Sequence, residues 1–417
     1  VTKITDEHDV VVIGAGAAGI AATRRLVDAG VDVLLLEACN RVGGRALSVR
    51  KDDGDAIDLG CGWLHSADVN PWTTIAAALG IEIDRTLPPW QDDKHDLGMS
   101  LAQRRAFRTA SMRFWEKFDT GTAPIPDQPA ADYLEPGNPW NSLINATSTY
   151  INGAELDCVS ALDFARYADT HINWRVPAGY GTLIARYSAG LPIVLECKVV
   201  RIDHSGAAIH IETGDDVLRA RAVIVTVSTN VLAANAIRFI PDIPDTRDAA
   251  AHLPLGHAEK VFLTLDDAAE FPKDVHFFGA TDRAATGAYQ MRPFGRPMIE
   301  AYFGGSLARD LQAAGKAAMI AFACEEIAAV LGAAIIARLR PLGASSWAVD
   351  PLILGSYSHA EPGRANARSV LRTPIQNRIF FAGEACSIDD FSTAHGAYKT
   401  GVAAAEAYLA QNKSTAR

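Results

Sequence analysis

No part of the chain constrains its fold as tightly as residues 8–37. His8 to Ile13 (HDVVVI) is a short unbroken apolar run, the pattern of a strand buried on both faces of a parallel sheet. It runs straight into Gly14-Ala15-Gly16-Ala17-Ala18-Gly19. Ile20, Ala21, Leu26 and Val27 then recur at helical spacing as far as Gly30, a helix-ending glycine. Val31 to Leu36 (VDVLLL) is a second buried strand, and it ends in Glu37. The glycines have separate roles. Gly14 makes the tight turn, Gly16 lets the backbone approach a pyrophosphate, and Gly19 lets the helix lie against the strand. Ala17 and Ala18 open the helix, whose free N–H groups and positive dipole end suit an anion. Glu37 suits ribose hydroxyls and favours a free 2′-OH. A glycine-rich turn without a ligand would not need the flanking strands and the acid, so the unit predicts a dinucleotide-binding Rossmann fold.

At 417 residues the chain is too long for one simple core, which predicts two domains or one large domain with insertions. A formal charge of −10 makes it a poor general binder of nucleic acid. The six cysteines are scattered, with no CxxC pair and no metal-ligand spacing with histidine, so reduced thiols, no bound metal and a cytoplasmic setting are expected. The opening VTKITDEHDV carries acids and no apolar run, so no secretory leader is expected there. The greasiest stretch, Ala317 to Ile336, is interrupted by Cys324-Glu325-Glu326 and predicts a packed helix rather than a membrane span.

Asn40-Arg41-Val42-Gly43-Gly44-Arg45 follows Glu37 almost at once. Two glycines between arginines suit a second close backbone approach to an anionic cofactor, with guanidinium groups beside it. In this position the motif resembles the RxGGR element of FAD-dependent oxidoreductases of the amine-oxidase type. The resemblance extends to the C-terminal end. Ile379 to Glu384 (IFFAGE) and Ser392-Thr393-Ala394-His395-Gly396 before an alanine-rich helix look like the flavin motif of the flavin amine oxidases. Trp347, Asp350-Pro351 and Gly355-Ser356-Tyr357 match that family's W…DP…GSY, and Pro177 to Leu183 matches a proline-glycine stretch between them. The resemblance implies an α/β fold: a Rossmann-type FAD-binding domain with a second α+β substrate-binding domain, as in the glutathione-reductase-like flavoproteins. The FAD domain is then discontinuous, near 1–80, 176–245 and 346–417, with 81–175 and 246–345 forming the substrate domain. The implied cofactor residues include Gly14, Gly16, Ala17, Ala18, Gly19, Glu37 and Ala38. Arg41, Gly43, Gly44 and Arg45 follow, then Gly62, Trp63, Val199 and Trp347, and finally Gly383, Glu384, Thr393 and Ala394.

On the substrate side, Asp58 to His65 with Asn70-Pro71 resembles the DxGxxWLH…NP stretch of polyamine oxidases. No arginine lies between Gly60 and Pro71 to hold a carboxylate, which tilts the expectation from amino acids toward amines; Arg104 or Arg292 would reverse it by pairing one. His65 is either a structural histidine or a group that helps keep an amine neutral. Lys260, in the alternating run Ala258 to Leu265, is either a solvent-facing edge-strand lysine or the family's lysine that reaches flavin N5 through a water. Tyr357 matches one wall of the family's aromatic cage; the other wall falls on Thr393, so the cage is half-built. Ser356 stands where monoamine oxidases carry the cysteine bonded to FAD, implying non-covalent FAD. Trp347 either packs on the ring system or is plain core. Glu155 is either a surface acid or the acid that faces a distal amino group.

The implied reaction is hydride transfer from the carbon beside a neutral amine to flavin N5. Imine hydrolysis follows, and reoxidation by dioxygen gives hydrogen peroxide. The partners are thus a small amine and dioxygen. The competing readings are an L-amino-acid oxidase or desaturase-like oxidase on the same fold, and a flavoprotein without turnover.

Overall fold

The computed structural model describes residues 7–51, 54–92, 95, 97–119, 125–214 and 216–415. The first six residues of the opening VTKITDEHDV lie outside these. Two sheets organise the chain. The larger has eight strands. Glu7–Ile13 lies at its centre, parallel to Val33–Leu36 through Val10–Val33 and Val12–Leu35, and parallel to Val217–Val225 on its other side through Val10–Ala222 and Ile13–Val225. Val10, Val12 and Leu35 face one core while Val11, Ile13, Leu34 and Leu36 face another. Burial on both faces is why these strands read as unbroken apolar runs.

Val217–Val225 changes neighbours along its length. Its first half pairs antiparallel with Ile209–Thr213, and its second half pairs parallel with Ile379–Phe381. The IFFAGE strand therefore lies one strand away from the opening strand and parallel to it, and Gly383-Glu384 emerge at the same end of the sheet as Gly14. Val194 to Ile202 (VLECKVVRI), rich in β-branched and apolar residues, reads from the sequence as a strand returning to the cofactor domain, but it forms two, Ile193–Val194 and Val199–Asp203. Glu196 takes a positive φ of 57° between them, where its N–H bonds the Cys39 carbonyl and the Cys197 N–H bonds the Glu37 carbonyl. Tertiary hydrogen bonds override the strand propensity there, and the break carries Val199 toward the end of the second strand.

The second sheet is antiparallel throughout, in the order Val275–Phe278, Ala288–Met291, Met298–Gly304, Ala258–Leu265, Leu339–Ala344. One face, with Val261, Leu263, Ile299 and Phe303, packs on Met319, Ala323 and Ile327 of the helix Lys316–Leu331. The Glu326 carboxylate in that helix is buried, accepting from the Thr286 hydroxyl, Gly287 N–H and Tyr289 hydroxyl. No described helix is long and apolar enough to cross a membrane. Ala258–Leu265 has a neighbour on each side, so Lys260 does not lie on an edge strand.

The helix Ala17–Asp28 packs against the C-terminal helix Ala394–Thr415. Contact is backbone-close at Gly401, where an added Cβ would stand 2.1 Å from the Ala18 carbonyl oxygen. That atom belongs to the helix start, which cannot retreat without deforming the glycine turn. Gly401→Leu is expected to destabilise the fold by about 3 kcal/mol through overpacking, read as a lowered Tm together with loss of bound cofactor; an unchanged Tm would show that the two helices do not meet there.

Candidate active site

The two sheets enclose one cavity of about 1910 Å³. It begins where Glu7–Ile13 and Val33–Leu36 end. At that end Gly14, Gly16, Ala17, Ala18, Glu37, Ala38, Gly43, Gly44, Arg45 and Val199 all stand on its wall. Gly14 has φ +99°, and a Cβ there would lie 2.7 Å from the Thr226 hydroxyl; a Cβ on Gly44 (φ +58°) would lie 3.2 Å from the Gly16 Cα. The two glycine stretches thus touch and present bare backbone to the cavity, a cradle for a pyrophosphate. Glu37 is buried at its edge, its oxygens accepting from Ala15 N–H at 2.6 Å and Cys39 N–H at 2.7 Å. Two of the predicted cofactor residues act behind the wall. Gly19 permits helix-to-strand contact, since its Cβ would stand 1.8 Å from the Gly14 carbonyl oxygen. Arg41 turns back to the Val42 and Gly44 carbonyls and stiffens the second glycine loop.

Midway along the cavity a buried carboxylate gathers three distant stretches. Glu384 accepts from Arg45 Nη1 at 2.8 Å, from the Ser358 hydroxyl and N–H at 2.6 and 3.1 Å, and from Ser392 N–H at 3.0 Å. Burial opposes its charge, but Arg45, the Ser358 hydroxyl and Arg368 outweigh burial and hold its carboxyl below the usual range. Gly383 and Glu384 reach the wall, as do Thr393 and Ala394 at the start of the C-terminal helix. Thr393 caps that start, accepting from Gly396 N–H at 3.0 Å and donating to the Asp390 carbonyl. The Ser356 hydroxyl bridges the Ala258 N–H and carbonyl.

The far end is floored by the second sheet. Strand register puts Phe278, Ala288, Tyr302 and Lys260 in one cross-strand row and His276, Gln290, Glu300 and Phe262 in the next. All but Phe262 reach the cavity wall. Lys260 donates to Glu300 at 2.8 Å and to the Asp58 carbonyl at 3.0 Å. Burial disfavours the ammonium, but Glu300 and Asp58 outweigh it and raise its pKa above the ordinary value. Burial, helped by Arg104, pushes the His276 imidazole down to about 4, so it is neutral. The Tyr357 hydroxyl lies 2.7 Å from the Tyr302 hydroxyl and donates to the Tyr150 carbonyl at 2.5 Å. Sequence patterning missed Glu300, Tyr302, Tyr150, His276 and Gln290. Alternation along Met298–Gly304 was the available signal, but it is uninformative until the register with Lys260 is known.

His65 lies on the wall with Nδ1 2.6 Å from Asn173 Oδ1, and burial pushes its pKa down. Its partner is a side chain, not the backbone. Trp347 reaches the wall with its indole N–H on the Leu59 carbonyl at 3.0 Å, and a Cβ on Gly60 would lie 3.2 Å from its ring. Gly62 and Trp63 follow on the same wall. The substrate-facing role expected of Glu155 is corrected here. Glu155 is absent from the wall, because its carboxylate accepts from the Ser306 N–H at 2.9 Å and hydroxyl at 2.5 Å at the start of the helix Gly305–Ala314. Arg292 donates to the Phe271 and Gly295 carbonyls, away from the cavity. Arg104 is on the wall, donating to the Leu97 carbonyl at 3.0 Å.

Bare glycine backbone and a buried acid at one end of the cavity, opening into a floor with a buried lysine and a tyrosine cluster, fit a flavin-dependent oxidoreductase. The chain belongs to the flavin containing amine oxidoreductases, whose family model matches residues 17–147 and 119–409. It is an FAD-dependent amine oxidoreductase. Polyamine oxidase 3 of Oryza sativa subsp. japonica is 27% identical over 95% of this chain and 88% of its own length. Polyamine oxidase 2 of Arabidopsis thaliana is 28% identical over 96% and 88%. A structure of putrescine oxidase bound to putrescine superposes with a TM-score of 0.76 at 18% identity, covering 97% of this chain and 99% of that one. Cyclohexylamine oxidase from Brevibacterium oxydans IH-35A gives 0.76 at 21%, with the same coverage.

Because the Glu384 carboxyl is depressed in the fold, its contribution is full above the unfolded carboxyl pKa of about 4.3 and fades as pH falls through the lower folded value. Glu384→Gln is expected to cost about 3 kcal/mol at neutral pH by leaving Arg45 underpaired, with weaker FAD retention. The gap between the wild-type and variant denaturation curves should narrow progressively as pH falls below about 4; a pH-independent gap would refute the charge-based account.

Proposed function

We propose that this chain oxidises a small amine at its C–N bond, with dioxygen as the final acceptor and hydrogen peroxide as a product. FAD supplies the acceptor for a hydride leaving the carbon beside the nitrogen. What carries the proposal is continuity: the pyrophosphate cradle and the floor bearing Lys260 and Tyr357 are parts of one cavity.

The chain's own residues account for the rest. Loss of a hydride needs the nitrogen lone pair, so the amine must react unprotonated. The low-dielectric wall disfavours an ammonium in the cavity. Asn173 Oδ1 only accepts, so the proton of His65 sits on Nδ1 and Nε2 keeps its lone pair, fit to take a hydrogen bond or a proton from an entering amine. Tyr357 and Tyr302, locked by their mutual hydrogen bond and the Tyr150 carbonyl, exclude water and orient the substrate. Two of the three ammonium N–H bonds of Lys260 go to Glu300 and Asp58, and the third is available for a water or the cofactor. The imine released is hydrolysed to an aldehyde or ketone.

The cofactor is held without a covalent bond. Ser356 offers no thiol, and two of the three wall thiols, Cys39 and Cys61, are pushed up to about 11 and about 12, chiefly by burial, so neither of these is a ready nucleophile; the third, Cys197, lies at the glycine-turn end beside Val199. Acid precipitation should give a colourless pellet and free FAD in the supernatant; a yellow pellet would refute this.

Anaerobic addition of a substrate amine should bleach the visible flavin band. Lys260→Met should keep FAD bound but slow the reaction by about 100-fold, as loss of one fixed charge aimed at the reacting centre does. A flavin left oxidised by a broad panel of mono-, di- and polyamines would reject amine oxidation.

A further inference from the structure

We infer that the substrate of this site carries a single amino group on an apolar body, and that di- and polyamines are poor substrates. The inference rests on the amine reading above and narrows it.

Charge on the cavity wall decides between the two kinds of amine. A diamine bound with one nitrogen neutral still carries a second ammonium, and a buried ammonium needs a carboxylate. Among the described residues eight carboxylates reach the wall. Four lie inside, and each is already engaged. Glu37 holds the Ala15 and Cys39 N–H groups, Glu300 holds Lys260, and Glu384 holds Arg45. Asp390 holds His395 and Lys399. Of the other four, Glu116, Asp119 and Asp389 are exposed to solvent, where water screens them, and Asp169 is engaged by the Ser66 hydroxyl and by the N–H and imidazole of His171. Glu155, the acid that the polyamine resemblance nominates, is turned away to Ser306.

The floor itself has no net charge to offer a distal cation. Lys260 and Glu300 cancel, Gln290 is neutral, and His276 is uncharged. At the His276 end the Arg104 guanidinium reaches the His276 carbonyl at 3.5 Å and supplies no acceptor for an ammonium. The remaining contacts are apolar or aromatic. Tyr150 stacks on Phe278 at 6.3 Å, and Phe107 meets Phe278 edge-on at 5.7 Å. Leu97 and Met99 stand on the same wall. Such a surface desolvates a hydrocarbon body and leaves a second ammonium unpaired.

Hexylamine and cadaverine test this, because they have equal heavy-atom length and differ only in a terminal methyl against an ammonium. With the FAD-loaded enzyme, peroxide release should give hexylamine a kcat/KM about tenfold or more above that of cadaverine. Spermidine should fall with cadaverine, and benzylamine with hexylamine. Ala288→Glu, which places a carboxylate on the floor between Phe278 and Tyr302, should shift the cadaverine-to-hexylamine ratio of kcat/KM up by about tenfold. A merely structural effect would lower both rates and leave that ratio in place. Cadaverine or spermidine matching or exceeding hexylamine, or an unmoved ratio in an Ala288→Glu protein that keeps its FAD, would overturn the inference while leaving the amine reading intact. Bleaching by no amine at all would overturn both.

Discussion

The site depends on the Glu384 carboxylate. It is 4% exposed, and it draws hydrogen bonds from Arg45 in the second glycine loop, from Ser358 just past Tyr357, and from Ser392 just before the C-terminal helix. Arg45 lies more than three hundred residues before the other two donors in the chain. A buried charge with fewer partners would be costly, so the fold is driven to bring all three together. Arg368 extends the knot by bonding both the Ser358 hydroxyl and the buried Asp163. The same interaction that closes the fold therefore sets the cavity wall between the glycine turns and the antiparallel-sheet floor.

Backbone proximity does at one end of the cavity what side chains do at the other. Gly14 and Gly43 fix the turns through N–H bonds to the Leu36 and Ala15 carbonyls, and the absent Cβ atoms of Gly14, Gly16, Gly43 and Gly44 leave bare backbone where a phosphate can approach. On the floor, cross-strand register sets which side chains are neighbours. Lys260 lies directly across from Tyr302, and Phe262 across from Glu300, so the ammonium is flanked by a carboxylate and by an aromatic ring at 5.8 Å. A one-residue slip in that register would turn Glu300 and Tyr302 into the apolar core on the far side. The burial of Val261 and Leu263 in that core is what forbids the slip.

Much of this was legible in the sequence, and the reason is local. The strand–turn–helix–strand of residues 8–37 is written in consecutive residues, because burial on both faces requires unbroken apolar runs and a tight turn requires glycine. Lys260 and Tyr357 were legible through motif resemblance, and both stand on the cavity wall. Glu155 shows where such inference fails. Its position beside Gly305-Ser306 is a helix-start contact that only folding creates, and an acid that caps a helix looks in sequence like an acid that binds a substrate. The divided strand at Val194 to Ile202 failed for a related reason, since hydrogen bonds from Glu196 and Cys197 to Cys39 and Glu37 span more than 150 positions.

By itself, then, the sequence determined the Rossmann unit, the flavin and the amine-oxidase class, because each is encoded by short stretches whose chemistry is complete within a few residues. The tertiary structure alone decided which charges are paired. Glu300 against Lys260, Glu384 against Arg45 and His276 kept neutral beside Arg104 are all set by strand register and burial, and a linear chain records neither. Charge pairing inside a low-dielectric cavity is set by contacts between distant stretches, a level the sequence does not display.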